Sequence, residues 1–131
     1  MSQENVEIVR SSFQAYNAGD MEAWGALLDR EVVWAAFERW PEAETLVGRK
    51  ACQRQWQRMR APSDVDTVEP VTDLIAGGDR VVVRAAWHAI GRGPEVNMQV
   101  ITVYTVREGK IIRMENFWAH VDALKAVGLE E

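Results

Sequence analysis

Val6, Val9, Phe13 and Tyr16 recur at helical spacing, so the opening stretch predicts an amphipathic helix, which "NAGD" (17–20) then stops. Asp20 suits the N-cap of a second, short helix carrying Trp24, Leu27 and Leu28. The run "EVVWAAF" (31–37) is β-branched and aromatic, the composition of a strand. After a loop containing Pro41, the polar segment Arg49 to Arg60 sets Cys52, Trp56 and Met59 on one helical face. Beyond Pro62 the turn signals "AGGD", "GRGPE" and "REGK" separate runs rich in Val, Ile and Thr at 65–76, 80–90, 96–107 and 110–118. These predict an antiparallel meander. Val121, Leu124 and Val127, with Gly128 as a stop, predict a closing helical turn. No linker or repeat interrupts the pattern, so residues 1–131 read as one α+β domain in which a sheet buries one face against N-terminal helices.

Period-two counting separates the two faces of that sheet. One face holds Val83, Ala85 and Trp87, then Met98, Val100, Thr102 and Tyr104, then Met114, Asn116 and Trp118. The other holds Arg84, Ala86 and His88, with Ile101, Val103 and Phe117 making its centre apolar as well. Helices cover only one face. The second apolar surface therefore predicts a homodimer built on the outer sheet, with His88 as an interface or solvent residue.

Composition narrows the function classes. A net charge of −5, with basic residues interleaved among acids, is the wrong footprint for nucleic acid or an anionic membrane. The single Cys52 forms no internal bridge, and neither a leader nor a membrane-length apolar run is evident, so a soluble cytoplasmic protein is the expectation. Two distant histidines and one cysteine lack metal-ligand spacing, and "GGD" and "GRG" sit in hairpins rather than opening a helix, so neither a metal, a phosphate-bound cofactor nor any other cofactor is expected. Six Trp against two Tyr and three Phe is unusual, and it tilts the reading toward a large apolar wall with polar edges.

Four pieces in order, "YNAGD", "LLDREVVW", "LVGRKA", and "GDRVVVRAAW" with "REGKIIRMENFW", resemble the SnoaL-like and ketosteroid-isomerase-like branch of the nuclear transport factor 2-like superfamily across nearly the whole chain. The resemblance implies a cone-shaped, curved antiparallel sheet wrapped around three N-terminal helices, with a small-molecule site inside. It would set Trp34, Trp56, Trp87 and Trp118 along the cone with Met98 and Met114, and Thr102 and Asn116 among them as polar groups. Such a wall suits a flat hydrophobic ligand. Each large apolar residue is equally compatible with a filled core, whereas Asn116 is a poor space-filler whose amide needs partners. Trp40 beside Pro41 is either a lid over the cone or a surface anchor.

The same resemblance withholds the known chemistry. Ketosteroid isomerases hold an enolate oxygen with a Tyr and a protonated Asp and move the proton with a second Asp; alignment brings Ser12, Thr102 and Ala36 to those positions. Many SnoaL-like proteins carry an Asp after the last strand, where this chain has Ala119. The epoxide-hydrolase branch uses a buried Asp-Arg-Asp set, for which Arg84 offers a strand arginine but no inward Asp beside it. Two groups remain for proton chemistry. Tyr16 lies one turn after Ser12 and is either a catalytic hydroxyl or a core stripe residue; His120 is either a general base at the rim or a surface cap on the last helix. Three readings follow: a cofactor-independent isomerase, cyclase or hydratase-type enzyme using proton transfer, a non-catalytic binding protein for a small hydrophobic molecule, or a dimerising domain with a filled cone.

Overall fold

In a computed structural model, residues 2–35, 44–61, 63–71, 74–92, 95–117, 123–125 and 128 are described. Helix α1 (Ser2–Ala18) buries Val9, Phe13 and Tyr16 along one stripe. Its end is a Schellman cap: Gly19 sits at φ 72°, its N–H donates to the Tyr16 carbonyl at 3.0 Å, and the Asp20 N–H reaches the Ala15 carbonyl at 2.9 Å. Asp20 then accepts from the Ala23 N–H at 3.0 Å and starts α2 (Met21–Ala26), so one tetrapeptide ends one helix and begins the next. Helix α3 (Arg49–Arg60) has the expected bounds and buries Cys52 and Trp56.

The strands are β1 (Leu28–Trp34), β2 (Leu46–Val47), β3 (Ser63–Pro70), β4 (Ile75–Gly77), β5 (Arg80–Gly91), β6 (Val96–Arg107) and β7 (Lys110–Phe117). They form one sheet in the order β2-β1-β7-β6-β5-β3, with β4 beside β5. The pairing is antiparallel except between β1 and β7, which run parallel. The α+β arrangement of N-terminal helices against a large curved sheet is the one expected. Two details differ. The run 65–76 is two strands, β3 and β4, that share β5 as partner and part after Pro70, which has no N–H for the ladder; β2 is too short to carry a two-residue period.

The inner face carries the main core, in which Val83, Ala85, Tyr104 and Met114 meet Val9, Phe13 and Tyr16 of α1. The outer face is enclosed at its centre within the single chain. Val103 is 0% exposed within the single chain, and it clusters with Ile101, Val82 and Ala123, with Ile75 and Phe117 packed alongside. The centre of the outer face is thus covered by the chain's own helical turn at 123–125, with Ile75 of β4 extending the cluster sideways next to Val82, so its apolar character does not by itself call for a second subunit. Among the described residues, the exposed apolar side chains at the edge of that face include Val65 and Ile90, paired across β3 and β5, 47% and 43% exposed.

Candidate ligand cavity

Between α1 and the inner face of the sheet lies a cavity of about 390 Å³. That volume suits a small organic molecule. Strand alternation sends Trp87 from β5, Met98 and Thr102 from β6, and Met114 and Asn116 from β7 into it, as counted from the sequence. Trp34 at the end of β1 and Tyr16 of α1 complete the walls that were expected. Trp24, Met59 and Tyr104 also line it.

Trp56 does not line the cavity, contrary to expectation. It is buried behind the wall, stacked on Trp24 with ring centroids 6.0 Å apart and edge-on to Tyr16 at 5.6 Å. The helical face of α3 was read correctly, but Trp24 stands between Trp56 and the open space. Trp40, Trp118 and His120, with Ala36 and Ala119, lie outside the described residues.

The polar groups form two stations. At the first, the Thr102 hydroxyl donates to Asn116 Oδ1 at 2.9 Å across the β6–β7 register. That bond uses the amide oxygen and leaves the Nδ2 hydrogens for an acceptor. Two residues along β6, burial drives the Tyr104 phenol well above its ordinary range, while Ser12 and Thr102, within hydrogen-bonding reach of it, oppose the shift. Ser12 is itself buried and donates to the Val9 carbonyl at 2.6 Å. The two positions that the family comparison left with small hydroxyls, Ser12 and Thr102, therefore flank one buried phenol.

The second station was not foreseen. The Tyr16 hydroxyl and the Trp87 indole N–H both donate to Asp66 Oδ1, each at 2.9 Å, and the Asp66 side chain is buried from solvent. Asp66 comes from the edge strand β3, which Asn17 of α1 ties down at Val68 through two bonds, amide to carbonyl at 3.0 Å and backbone N–H to side-chain oxygen at 2.8 Å. Arg60, at the end of α3, locks the corner: its Nη1 donates to the backbone carbonyls of Tyr16 at 2.7 Å and Asp66 at 3.0 Å. Its guanidinium lies over the Tyr16 and Trp56 rings at 4.9 and 5.1 Å. Burial first, then the Asp66 charge and hydrogen bond, hold the Tyr16 phenol far above its usual range, against a smaller opposing effect of Arg60. Arg84, the strand arginine singled out from the sequence, lies on the outer face, opposite Ile101. Among the described residues the inward Asp is Asp66, and Arg60 lies beside it, bonded to its backbone carbonyl.

The SnoaL-like domain family matches residues 9–114. Bal32a, from a soil-derived mobile gene cassette, shares 22% identity, with 96% of this chain and 97% of that one aligned at a TM-score of 0.80. A putative polyketide cyclase from Sinorhizobium meliloti also shares 22% identity, over 85% of this chain and 94% of its own, at 0.71. TerC, co-crystallised with polyporic acid, gives 22% identity, 95% and 98% coverage, and 0.75. No curated protein matches the chain significantly. These similarities establish the fold.

Proposed function

This chain belongs to the SnoaL-like family, and on that premise we propose that it holds a small, mostly apolar molecule between α1 and the sheet and acts on it by proton transfer. Family membership alone does not choose among activities, because one fold hosts many. The observation that carries the reading is the cavity of about 390 Å³, walled by Trp and Met side chains and touched by a few convergent polar groups. A filled interior, used only for interaction, would leave no such space. Two fold relatives lend support: one is a putative polyketide cyclase and another was crystallised with polyporic acid, so small organic molecules are handled on this scaffold elsewhere.

In this reading Trp34, Trp87, Met98 and Met114 provide the apolar slot. Thr102 and Asn116 hold an oxygen of the ligand, and Tyr16 is the group nearest to proton chemistry. The pure binding protein is the second reading, favoured by the replacement of the known catalytic acids by Ser12 and Thr102. A thermal-shift screen with aromatic and terpenoid ketones and phenols tests the first step, since a ligand that binds only the folded state raises Tm by mass action. At least one hit should shift Tm in a concentration-dependent way, and turnover of that hit separates enzyme from receptor. A panel that leaves Tm unchanged throughout would overturn the cavity's assignment as a binding site.

A further inference from the structure

We propose that Asp66 is the positioning residue of a proton-accepting pair whose Tyr16 hydroxyl is the part that meets the ligand. This rests on the reading of the cavity as a site for proton transfer. Asp66 is the one acidic side chain buried among the described residues, and it occupies an inward position on β3 while its neighbour Val65 faces solvent. A strand that turns its carboxylate inward and its valine outward has inverted the pattern that burial alone would select.

Hydrogen bonding alone does not call for a carboxyl at position 66. Its two partners, the Tyr16 hydroxyl and the Trp87 indole, are neutral donors and both reach the same oxygen, Oδ1. An amide oxygen has the lone pairs to accept both bonds. Oδ2 is buried and has no hydrogen-bond partner among the described residues. Arg60 forms no contact ion pair with the carboxyl: its Nη1 goes to two backbone carbonyls instead. A carboxyl thus stands where an amide would satisfy the same hydrogen bonds, and its link to the cavity runs through the Tyr16 hydroxyl. Tyr16 lines the cavity, whereas Asp66 stands behind it.

The step is balanced without a co-reactant. A proton leaves an acidic C–H of the ligand for Tyr16 Oη as the phenolic proton passes to Asp66 Oδ1. The C–H electron pair stays on the ligand as an enolate, whose oxygen meets the Thr102 and Asn116 side of the cavity. Return of the proton to another ligand atom runs the same route backward. Tyr16 is thus the relay that meets the ligand and Asp66 Oδ1 the acceptor behind it, 2.9 Å from the phenol oxygen.

The test uses 2-tetralone, a flat apolar ketone with acidic α-hydrogens, in D₂O. Binding is read by quenching of tryptophan fluorescence and α-deuteration by NMR. The unmodified protein should bind it and accelerate exchange over buffer. Asp66→Asn keeps the acceptor for Tyr16 and Trp87 but takes up no proton, so it should lower the exchange kcat by about 100-fold or more, general-base losses being of that size. Its Kd should stay within a factor of about three, the separation expected when a group acts only in the chemical step. Tyr16→Phe should fall as far, the double variant should fall no further, and Asp66→Glu should recover part of the loss. Binding with exchange at the buffer rate, or Asp66→Asn exchanging like the parent, overturns the proposal and leaves the binding reading intact. Absence of binding overturns both. Should Asp66→Asn fail to fold by circular dichroism, undiminished exchange in Tyr16→Phe would refute the pair by itself.

Discussion

Trp56 lies stacked on Trp24, planes inclined by 25°, and Trp24 is in turn a wall of the cavity. A residue that touches no ligand therefore holds in place one that would. Trp56→Ala should cost about 3–5 kcal/mol, as for other large aromatic truncations in cores, and should also loosen Trp24 and weaken ligand binding. Trp34→Ala, at a partly buried wall position, should cost less stability while enlarging the slot. Urea unfolding with a ligand titration on each variant distinguishes the two roles.

Thr102 and Asn116 depend on one another across β6 and β7. Asn116→Leu should leave the fold intact but lower affinity for oxygen-bearing ligands by about 1–3 kcal/mol, the range for an unsatisfied buried polar partner, with little change for hydrocarbon analogues of the same shape. Thr102→Val should have the same sign and a smaller size, because it frees the Asn116 oxygen without removing the amide. Calorimetric titration with a ketone and its deoxygenated analogue measures the difference.

Cys52 is buried on α3, and burial pushes its thiol from 9.0 up to about 11. Its pKa is raised on folding, so its contribution is fully present below pH 9 and disappears as the pH climbs toward about 11. Between those limits the unfolded chain releases the proton that the folded chain retains, and stability falls with pH. The loss attached to this thiol amounts to about 2–3 kcal/mol at 1.36 kcal/mol per unit. Tyr16 and Tyr104 act in the same direction at higher pH. Cys52→Ala should flatten the decline between pH 9 and 11 in chemical denaturation.

Val103→Asp should unfold the chain rather than dissociate an assembly. Its side chain is fully enclosed within one copy. An unpaired carboxylate there should cost about 3–5 kcal/mol, independent of protein concentration. A concentration-dependent loss in sedimentation and melting would show instead that a second copy shares the enclosure.

How much of this was legible in the sequence follows from periodicity. Trp87, Met98, Thr102, Met114 and Asn116 were placed inward by counting in twos, because long strands average out local exceptions. Arg49–Arg60 and the double cap at "NAGD" were legible because side-chain pattern and end signals agree there. Asp66 was missed because β3 is an edge strand with Val65 outward, so the apolar pattern points the wrong way. The hidden outer face was missed because Ala123, which packs against it among the described residues, is small and carries no periodic signal. Trp56 was misplaced by one layer, since helical spacing tells which face is buried but not what lies between that face and a void.

The pairing of β1 with β7 has a kinetic side. Leu28 stands beside Ile111, the Ile111 N–H donates to the Leu27 carbonyl at 2.8 Å, and Lys110 Nζ reaches the Ala26 carbonyl at 2.6 Å. These contacts join segments some eighty residues apart, the kind of long-range closure that slows folding. Until β7 has been made, β1 has only the two-residue β2 beside it in the sheet, and Trp24 and Trp34 border a wall with no floor. During synthesis the cavity is thus a late structure, and an aromatic-rich segment completed early waits for its partner. In that interval its exposed apolar surface is the part of the chain most open to misassociation.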